Sequence, residues 1–119
     1  MEKLVIIGTH GEENPEKAIL PFVMACTATA SNMDPVMILQ GPGVWLARKG
    51  YAKTISVSSF PPLDELLEAF QESKGRILVC APCLKKRNIQ PEDLVEGAVV
   101  INAPTVIKEI GEAKAVLSY

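Results

Sequence analysis

Two cysteines, Cys80 and Cys83, are the residues in this sequence with the clearest capacity for chemistry. The apolar run at residues 77–79 predicts a strand that ends at Cys80, and Pro82 suits the first turn of a following helix. Open α/β sheets place ligands and chemistry at the carboxyl ends of their strands, so both sulfurs are expected at such an edge. The spacing therefore predicts thiol or persulfide chemistry.

The expected surroundings of the pair favour a thiolate. Both sulfurs would lie near the amino end of the predicted helix, where unpaired N–H groups and the helix dipole stabilise negative charge. Lys85, Lys86 and Arg87 follow closely and would add positive potential. We therefore expect a lowered thiol pKa, which suits disulfide exchange or persulfide transfer.

Three alternatives for the pair remain open. In the first, Cys80 is a core strand residue and Cys83 faces its own helix. The second is a zinc site, but a structural site needs four ligands, and beyond the pair the chain offers only Cys26 and His10. Cys26 lies on the apolar stripe of the first predicted helix, which favours a small buried hydrophobe. No metal or cofactor is predicted.

The third alternative is a thioredoxin-like oxidoreductase, because a Cys-Ala-Pro-Cys sequence before a helix is a redox signature. Thioredoxin-like domains carry this motif after an early strand, whereas three candidate strands precede it here. A helix–strand block, and not a hairpin, follows it. The position of the motif therefore argues against this alternative.

Other candidates lie in the loops that follow the first two predicted strands. His10 is the only histidine, and histidine titrates near neutral pH, so it is a candidate acid or base, although a lone loop histidine is more often merely solvated. The segment Gly41-Pro42-Gly43 predicts a tight turn, since it lacks the other residues of a P-loop or a dinucleotide fingerprint. Trp45 suits either core packing or a subunit interface.

Short β-rich runs alternate with helical patterns along the chain. Strands are predicted at residues 3–8, 35–40, 54–58 (a weaker, edge strand), 76–80, 98–101 and 113–117. Helices are predicted after an Asn14 cap, with Pro21 as a kink or irregular entry and Asn32 as the end, and at 44–49, 63–75, 81–87 and from Asn102 onward. This alternation predicts right-handed crossovers and a mostly parallel sheet of about five strands within a three-layer α/β domain.

Length and composition limit the possible functions. A chain of 119 residues predicts one domain, residues 1–119. The net charge of −2 and the absence of a basic cluster argue against nucleic-acid binding. No segment approaches the apolar length of a membrane span or a signal peptide, so we expect a cytoplasmic protein with reduced thiols.

Two blocks of sequence resemble the DsrE/DsrF-like family, which includes TusD-type sulfur-relay proteins and sequences labelled predicted peroxiredoxins. The first block is residues 11–22 (Gly-Glu-Glu-Asn-Pro-Glu-Lys-Ala-Ile-Leu-Pro-Phe), with 38–44 and the Lys-Gly pair at 49–50. The second is residues 77–89, which contain both cysteines. With the order of strands, the likeness covers nearly the whole sequence.

This resemblance implies a flavodoxin-like domain that assembles into trimers or hexamers. In the relay members, a cysteine eight residues before a Gly-Ile or Gly-Val pair accepts sulfur as a persulfide. Cys80 holds that position ahead of Asn88-Ile89, with Asn88 in place of the glycine. Cys83 matches a second cysteine found in part of the family, which would resolve a persulfide or sulfenate on Cys80 into a disulfide.

The function expected from this resemblance is a small cytoplasmic sulfur-relay or sulfurtransferase-like protein. It would carry persulfide sulfur on Cys80, with Cys83 as an auxiliary thiol, and would exchange sulfur with donor and acceptor proteins. Two other functions stay open. One is a noncatalytic oligomeric binding module that uses a pocket at the strand ends, and the other is a thiol-redox protein with a reversible Cys80–Cys83 disulfide.

Overall fold

Five parallel strands form the central sheet of the computed structural model, which describes residues 1–119. The order across the sheet is β4-β3-β2-β1-β5. The strands are β1 (Lys3–Gly8), β2 (Asp34–Leu39), β3 (Arg76–Cys80), β4 (Ala98–Ile101) and β5 (Ala115–Ser118). The α-helices are α1 (Pro15–Ala30), α2 (Leu63–Glu72), α3 (Ala81–Lys86) and α4 (Ala103–Glu112). The predicted α/β fold class is confirmed, with a sheet that is entirely parallel.

The two faces of this sheet are covered unequally, and the handedness of the crossovers explains why. The chain steps from β1 to β4 in one direction across the sheet and returns to β5 in a single crossover. Right-handed connections place helices of opposite direction on opposite faces. The face that carries α1 and α2 has a core of 22 buried residues, whereas the α4 face has a core of only 6.

Helix α1 begins as predicted but is not interrupted by its internal proline. Asn14 Oδ1 accepts a hydrogen bond from the Lys17 N–H at 3.2 Å. Pro21 lies within an unbroken 16-residue helix, where it is buried close to Gly8. Contact with the sheet therefore offsets the hydrogen bond that proline removes. The helix ends where predicted, with Asn32 at φ +66°.

The strand predicted at residues 54–58 is wrong. Ala52–Thr54 form a short 3₁₀ helix, and the chain then continues without pairing to the sheet. Ile55 is only 3% exposed and belongs to the main core. Ile55 is apolar because it packs into the core from an irregular segment, and not because it belongs to a strand.

The helix predicted at residues 44–49 begins earlier and has a different type. Gly41–Ala47 form a 3₁₀ helix, with Gly41 at φ +54°.

None of the helices combines the length and apolar character that a membrane span requires.

Candidate cysteine site

The ends of three neighbouring strands bring the predicted site residues to one edge of the sheet. Gly8, Leu39 and Val79 are paired across β1, β2 and β3. The segments that follow them therefore begin at the same level, and they carry His10, the turn that starts at Gly41, and Cys80. This is the carboxyl-end edge at which the sulfurs of Cys80 and Cys83 are expected from the sequence.

Cys80 closes β3 and forms the N-cap of α3, as predicted. Its side chain is half-buried, and its sulfur makes no capping hydrogen bond. Burial raises the pKa of the Cys80 thiol, the neighbouring Cys83 thiol raises it further, and the Cys83 amide and Arg87 lower it only in part. The lowered pKa expected at this sulfur is therefore wrong, because desolvation outweighs a helix of only six residues.

Cys83 lies one turn into α3, and its sulfur has a defined partner. The Gly41 N–H donates a hydrogen bond to Cys83 Sγ at an N···S distance of 3.3 Å. Arg87 Nη1 donates to the Cys83 carbonyl oxygen at 3.0 Å, which ties the basic run to the backbone of the site. An N–H donor directed at sulfur stabilises negative charge there.

The Gly41–Gly43 turn is held firmly against the end of β1. A Cβ atom on Gly43 would lie 2.2 Å from the Gly8 carbonyl oxygen and 3.1 Å from Thr9 Cα. Such distances leave no room for any side chain at this position. The turn that presents the Gly41 N–H to Cys83 is therefore fixed by contact between two backbone segments.

His10 is paired with a residue that the sequence analysis did not select. Its Nδ1 lies 2.6 Å from Glu13 Oε2, and the Gly11 N–H donates to Glu13 Oε1 at 2.5 Å. Burial acts to raise the pKa of Glu13, but the hydrogen bonds from His10 and the backbone outweigh it, so the pKa is lowered. The sequence feature that could have revealed this pair is a glutamate three residues after a histidine, just before a helix.

Trp45 and Tyr51 support the loop that carries His10. Their rings stack with centroids 5.7 Å apart, and both side chains pack against the main core. The Tyr51 hydroxyl oxygen accepts a hydrogen bond from the Glu12 N–H at 2.9 Å. Of the two roles considered for Trp45, the contacts within one chain are those of core packing.

Cys26 has a separate, structural environment. It is half-buried against the main core, and its thiol lies 3.5 Å from the Leu66 carbonyl oxygen, to which it donates. Burial raises the pKa of this thiol. No three His, Cys, Asp or Glu side chains come together as a metal-binding group, so the ligands considered for zinc are not assembled.

A large groove lies away from the cysteines. It is a groove of about 690 Å³ beside β3 and β4, floored by apolar side chains such as Leu78 and Val99 and bordered by charged ones such as Glu72 and Arg76. Neither cysteine of the pair lines it. This groove is a second place, besides a pocket at the strand ends, that a binding module of this fold could use.

Comparisons with known proteins agree with this architecture. The model of the DsrE/DsrF-like family matches residues 2–119. Two uncharacterized proteins of Methanocaldococcus jannaschii are similar over nearly all of this chain. MJ0760 is 32% identical over 94% of this chain and 41% of its own length, and MJ0989 is 29% identical over 98% and 99%. The chain thus spans about two fifths of the length of the first of these relatives.

Two solved structures share the fold. The crystal structure of YchN from E. coli superposes with a TM-score of 0.83 at 19% identity, and both chains are covered completely. The structure of MTH1491 from Methanobacterium thermoautotrophicum, described as a protein of unknown function, gives 0.73 at 15% identity, also with complete coverage. At these identities the likeness concerns the fold alone.

Proposed function

Because this chain belongs to the DsrE/DsrF-like family, we propose that it is a sulfur-relay or sulfurtransferase-like protein that carries persulfide sulfur on Cys80. The observation that carries the proposal is the placement of two free, half-buried cysteines at the carboxyl end of a central strand. A persulfide carrier needs a thiol that a donor can reach and a setting that shields the product from water. Partial burial of Cys80 meets both needs.

The raised pKa of Cys80 is compatible with sulfur transfer. A thiol with a higher pKa is less ionised at neutral pH, but its thiolate is intrinsically more nucleophilic. The Cys83 amide and Arg87 favour the thiolate of Cys80 without making it dominant. Cys80 would therefore be a protonated thiol of low reactivity in the free protein. It would react when a donor brings a sulfane sulfur close to it.

The test uses inorganic polysulfide as the sulfur donor, followed by removal of excess reagent, alkylation and intact-mass measurement. When alkylation follows loading at once, we expect the wild type to carry the mass of one added sulfur atom, and Cys80→Ser to carry none. Cys26→Ser is the matched control, because that cysteine lies outside the site, and it should behave as the wild type does. If Cys80→Ser still gained sulfur at the wild-type level, Cys80 would not be the carrier.

A thiol-redox protein is the second candidate, favoured by the proximity through which Cys83 raises the pKa of Cys80. In that case mild oxidant removes the mass of two hydrogen atoms, both cysteines are required, and polysulfide adds no sulfur to any variant. Thiols that resist both reagents would leave the binding module, for which the groove beside β4 is an available cavity.

The proposal also covers location and assembly. Free cysteines suit a reducing compartment such as the cytoplasm. A homo-oligomer, a trimer or hexamer, fits the apolar side chains that this single chain leaves exposed on α4 and the edge strands: Ile107 (68%), Val99 (53%) and Val116 (41%). Donor and acceptor proteins would approach the carboxyl-end edge, where Cys80 lies. Sedimentation velocity tests the assembly, and a monomer at all concentrations would refute it.

A further inference from the structure

We infer that Cys83 is the nucleophile that discharges the carried sulfur, that the Gly41 N–H positions its sulfur, and that the product is hydrosulfide. This inference rests on the proposed function and assigns the chemistry that follows loading. Its starting observation is that Cys83 Sγ accepts a hydrogen bond from the Gly41 N–H, a backbone group of a different segment of the chain.

The two sulfurs have complementary surroundings. Cys80 ends a strand and is partly desolvated, and the Cys83 amide of its own helix acts on its sulfur. Cys83 has an N–H donor at 3.3 Å from a different segment of the chain. A donor that is fixed before the reaction stabilises charge without the cost of reorganisation. Cys83 Sγ is thus held in a defined position next to Cys80, where the persulfide would form.

The donor is fixed because its turn cannot move freely. Gly43, two residues after Gly41, packs directly on the Gly8 carbonyl group. On the other side, Arg87 holds the Cys83 carbonyl oxygen, and the last turn of α3 is anchored by Leu84, which is only 3% exposed. The geometry between Gly41 and Cys83 is therefore set by contacts on both sides.

The reaction balances without an external oxidant. Loading transfers one sulfane sulfur from a persulfide or polysulfide donor to the Cys80 thiolate, and the donor leaves as a thiolate or a shorter polysulfide. Cys83 thiolate then attacks Cys80 Sγ, the Cys80–Cys83 bond forms, the bond to the outer sulfur breaks, and that sulfur leaves as hydrosulfide. Over loading and discharge together, the transferred sulfane sulfur is reduced to hydrosulfide and the two cysteine sulfurs are oxidised to a disulfide.

The cycle then requires a dithiol reductant. A dithiol attacks the Cys80–Cys83 disulfide, becomes a disulfide itself, and returns both cysteines to the thiol state. The partner class implied by the structure is therefore a dithiol protein or small dithiol that reaches the carboxyl-end edge. Without it, each chain discharges one sulfur and stops.

The test follows a single discharge after loading with inorganic polysulfide and removal of the excess, with no reductant present. In the wild type we expect one hydrosulfide per chain to appear as the mass falls by one sulfur and two hydrogen atoms. Cys83→Ser should keep the added sulfur on Cys80 and release hydrosulfide at least about a hundredfold more slowly, because it lacks the intramolecular thiol. Cys26→Ser is again the control and should discharge at the wild-type rate.

A pH profile separates a chemical role of Cys83 from a structural one. Discharge by the wild type should rise with pH, because a thiolate is the attacking species, whereas the slow release from Cys83→Ser should lack that rise. Cys83→Ala, which also removes the sulfur, should match the serine variant if the thiol itself is what acts.

The outcomes distinguish the two proposals. If Cys83→Ser holds the added sulfur but the wild type holds it equally well, the carrier function stands and this inference is wrong. It is also wrong if Cys83→Ser discharges at the wild-type rate, or if the retained sulfur in the wild type maps to Cys83. If neither protein ever gains sulfur, the proposed function itself has failed.

Discussion

The two ends of the parallel sheet differ in how their polar groups are satisfied. At the amino-end edge, where the strands begin, Glu109 of α4 is 5% exposed and pairs with Lys3 at 2.8 Å and Arg76 at 2.8 Å. At the carboxyl-end edge, the cysteines are half-buried and one sulfur receives a single amide hydrogen bond. At the amino-end edge the buried carboxylate is paired with basic side chains, whereas at the carboxyl-end edge two cysteine thiols remain free.

This difference follows from the course of the chain. Helix α4 runs back from the end of β4 to the start of β5, so its last turns lie over the starts of the strands. It is the only α-helix on its face, and ion pairs with the first residues of β1 and β3 secure its end. The amino-end edge thus stabilises the fold, and the carboxyl-end edge is where we propose that the chemistry takes place.

The largest effect should come from the contact that fixes the carboxyl-end edge. In Gly43→Ala the new methyl group would overlap the Gly8 carbonyl group, which is backbone and cannot rotate away. We expect a loss of about 3 kcal/mol in the free energy of unfolding, measured by urea denaturation.

Gly111→Ala is the matched control for this substitution. A Cβ at Gly111 meets nothing within 4 Å, and the residue lies in α4, where alanine is the better helix former. This variant should be unchanged or more stable by about 0.5–1 kcal/mol. Equal stability of Gly43→Ala and the wild type would contradict a fixed turn.

The next largest effect should come from Glu109. Glu109→Gln keeps the shape of the side chain but removes the charge that Lys3 and Arg76 share. We expect a loss of about 2 kcal/mol, less than for a fully buried pair because the Arg76 side chain is 44% exposed.

Glu112→Gln provides the control at the same edge. Glu112 also pairs with Lys3, at 2.7 Å, but its side chain is 50% exposed. Its replacement should destabilise the fold clearly less than that of Glu109, because exposed ion pairs contribute little. If the two substitutions had equal effects, burial would not be what distinguishes Glu109.

The pH dependence of stability should show the same distinction. Hydrogen bonding to Arg76 lowers the pKa of Glu109 from 4.5 to about 2, against the opposing effect of burial. Because the folded-state pKa is the lower one, this stabilisation is present above about pH 4.5 and is lost as the pH falls toward 2. We expect the melting temperature of the wild type to fall more between neutral pH and about pH 3 than that of Glu109→Gln. Parallel declines would refute the assignment to Glu109.

Most of the carboxyl-end edge could be predicted from sequence because its signals are local. The apolar run before Cys80, the proline after it and the glycines of the Gly41 turn each reveal backbone geometry within a few residues. Asn14 and Asn32 likewise mark the two ends of α1. These features depend on neighbours in sequence, which is the information that a single sequence contains.

The remainder depends on tertiary contacts. The Glu109 network joins residues from β1, β3 and α4, which no local pattern connects. The raised pKa of Cys80 reflects desolvation by the packed fold, whereas the sequence shows only the helix start and the nearby basic residues. Ile55 suggested a strand because burial of one side chain and pairing in a sheet produce the same apolar signal.

The smallest effect should come from the hydrogen-bonded pair of His10 and Glu13 at the carboxyl-end edge. Glu13, like Glu109, accepts hydrogen bonds from a basic side chain and has a lowered pKa, but its side chain is 49% exposed and that of His10 is 30% exposed. Glu13→Gln should therefore cost less than about 1 kcal/mol in the free energy of unfolding. His10→Gln and the double variant complete a cycle that isolates the pair, and its coupling energy should also stay below about 1 kcal/mol. A coupling as large as the Glu109 effect would mean that both edges secure the fold, and the contrast between a stabilising edge and a reactive edge would have to be abandoned.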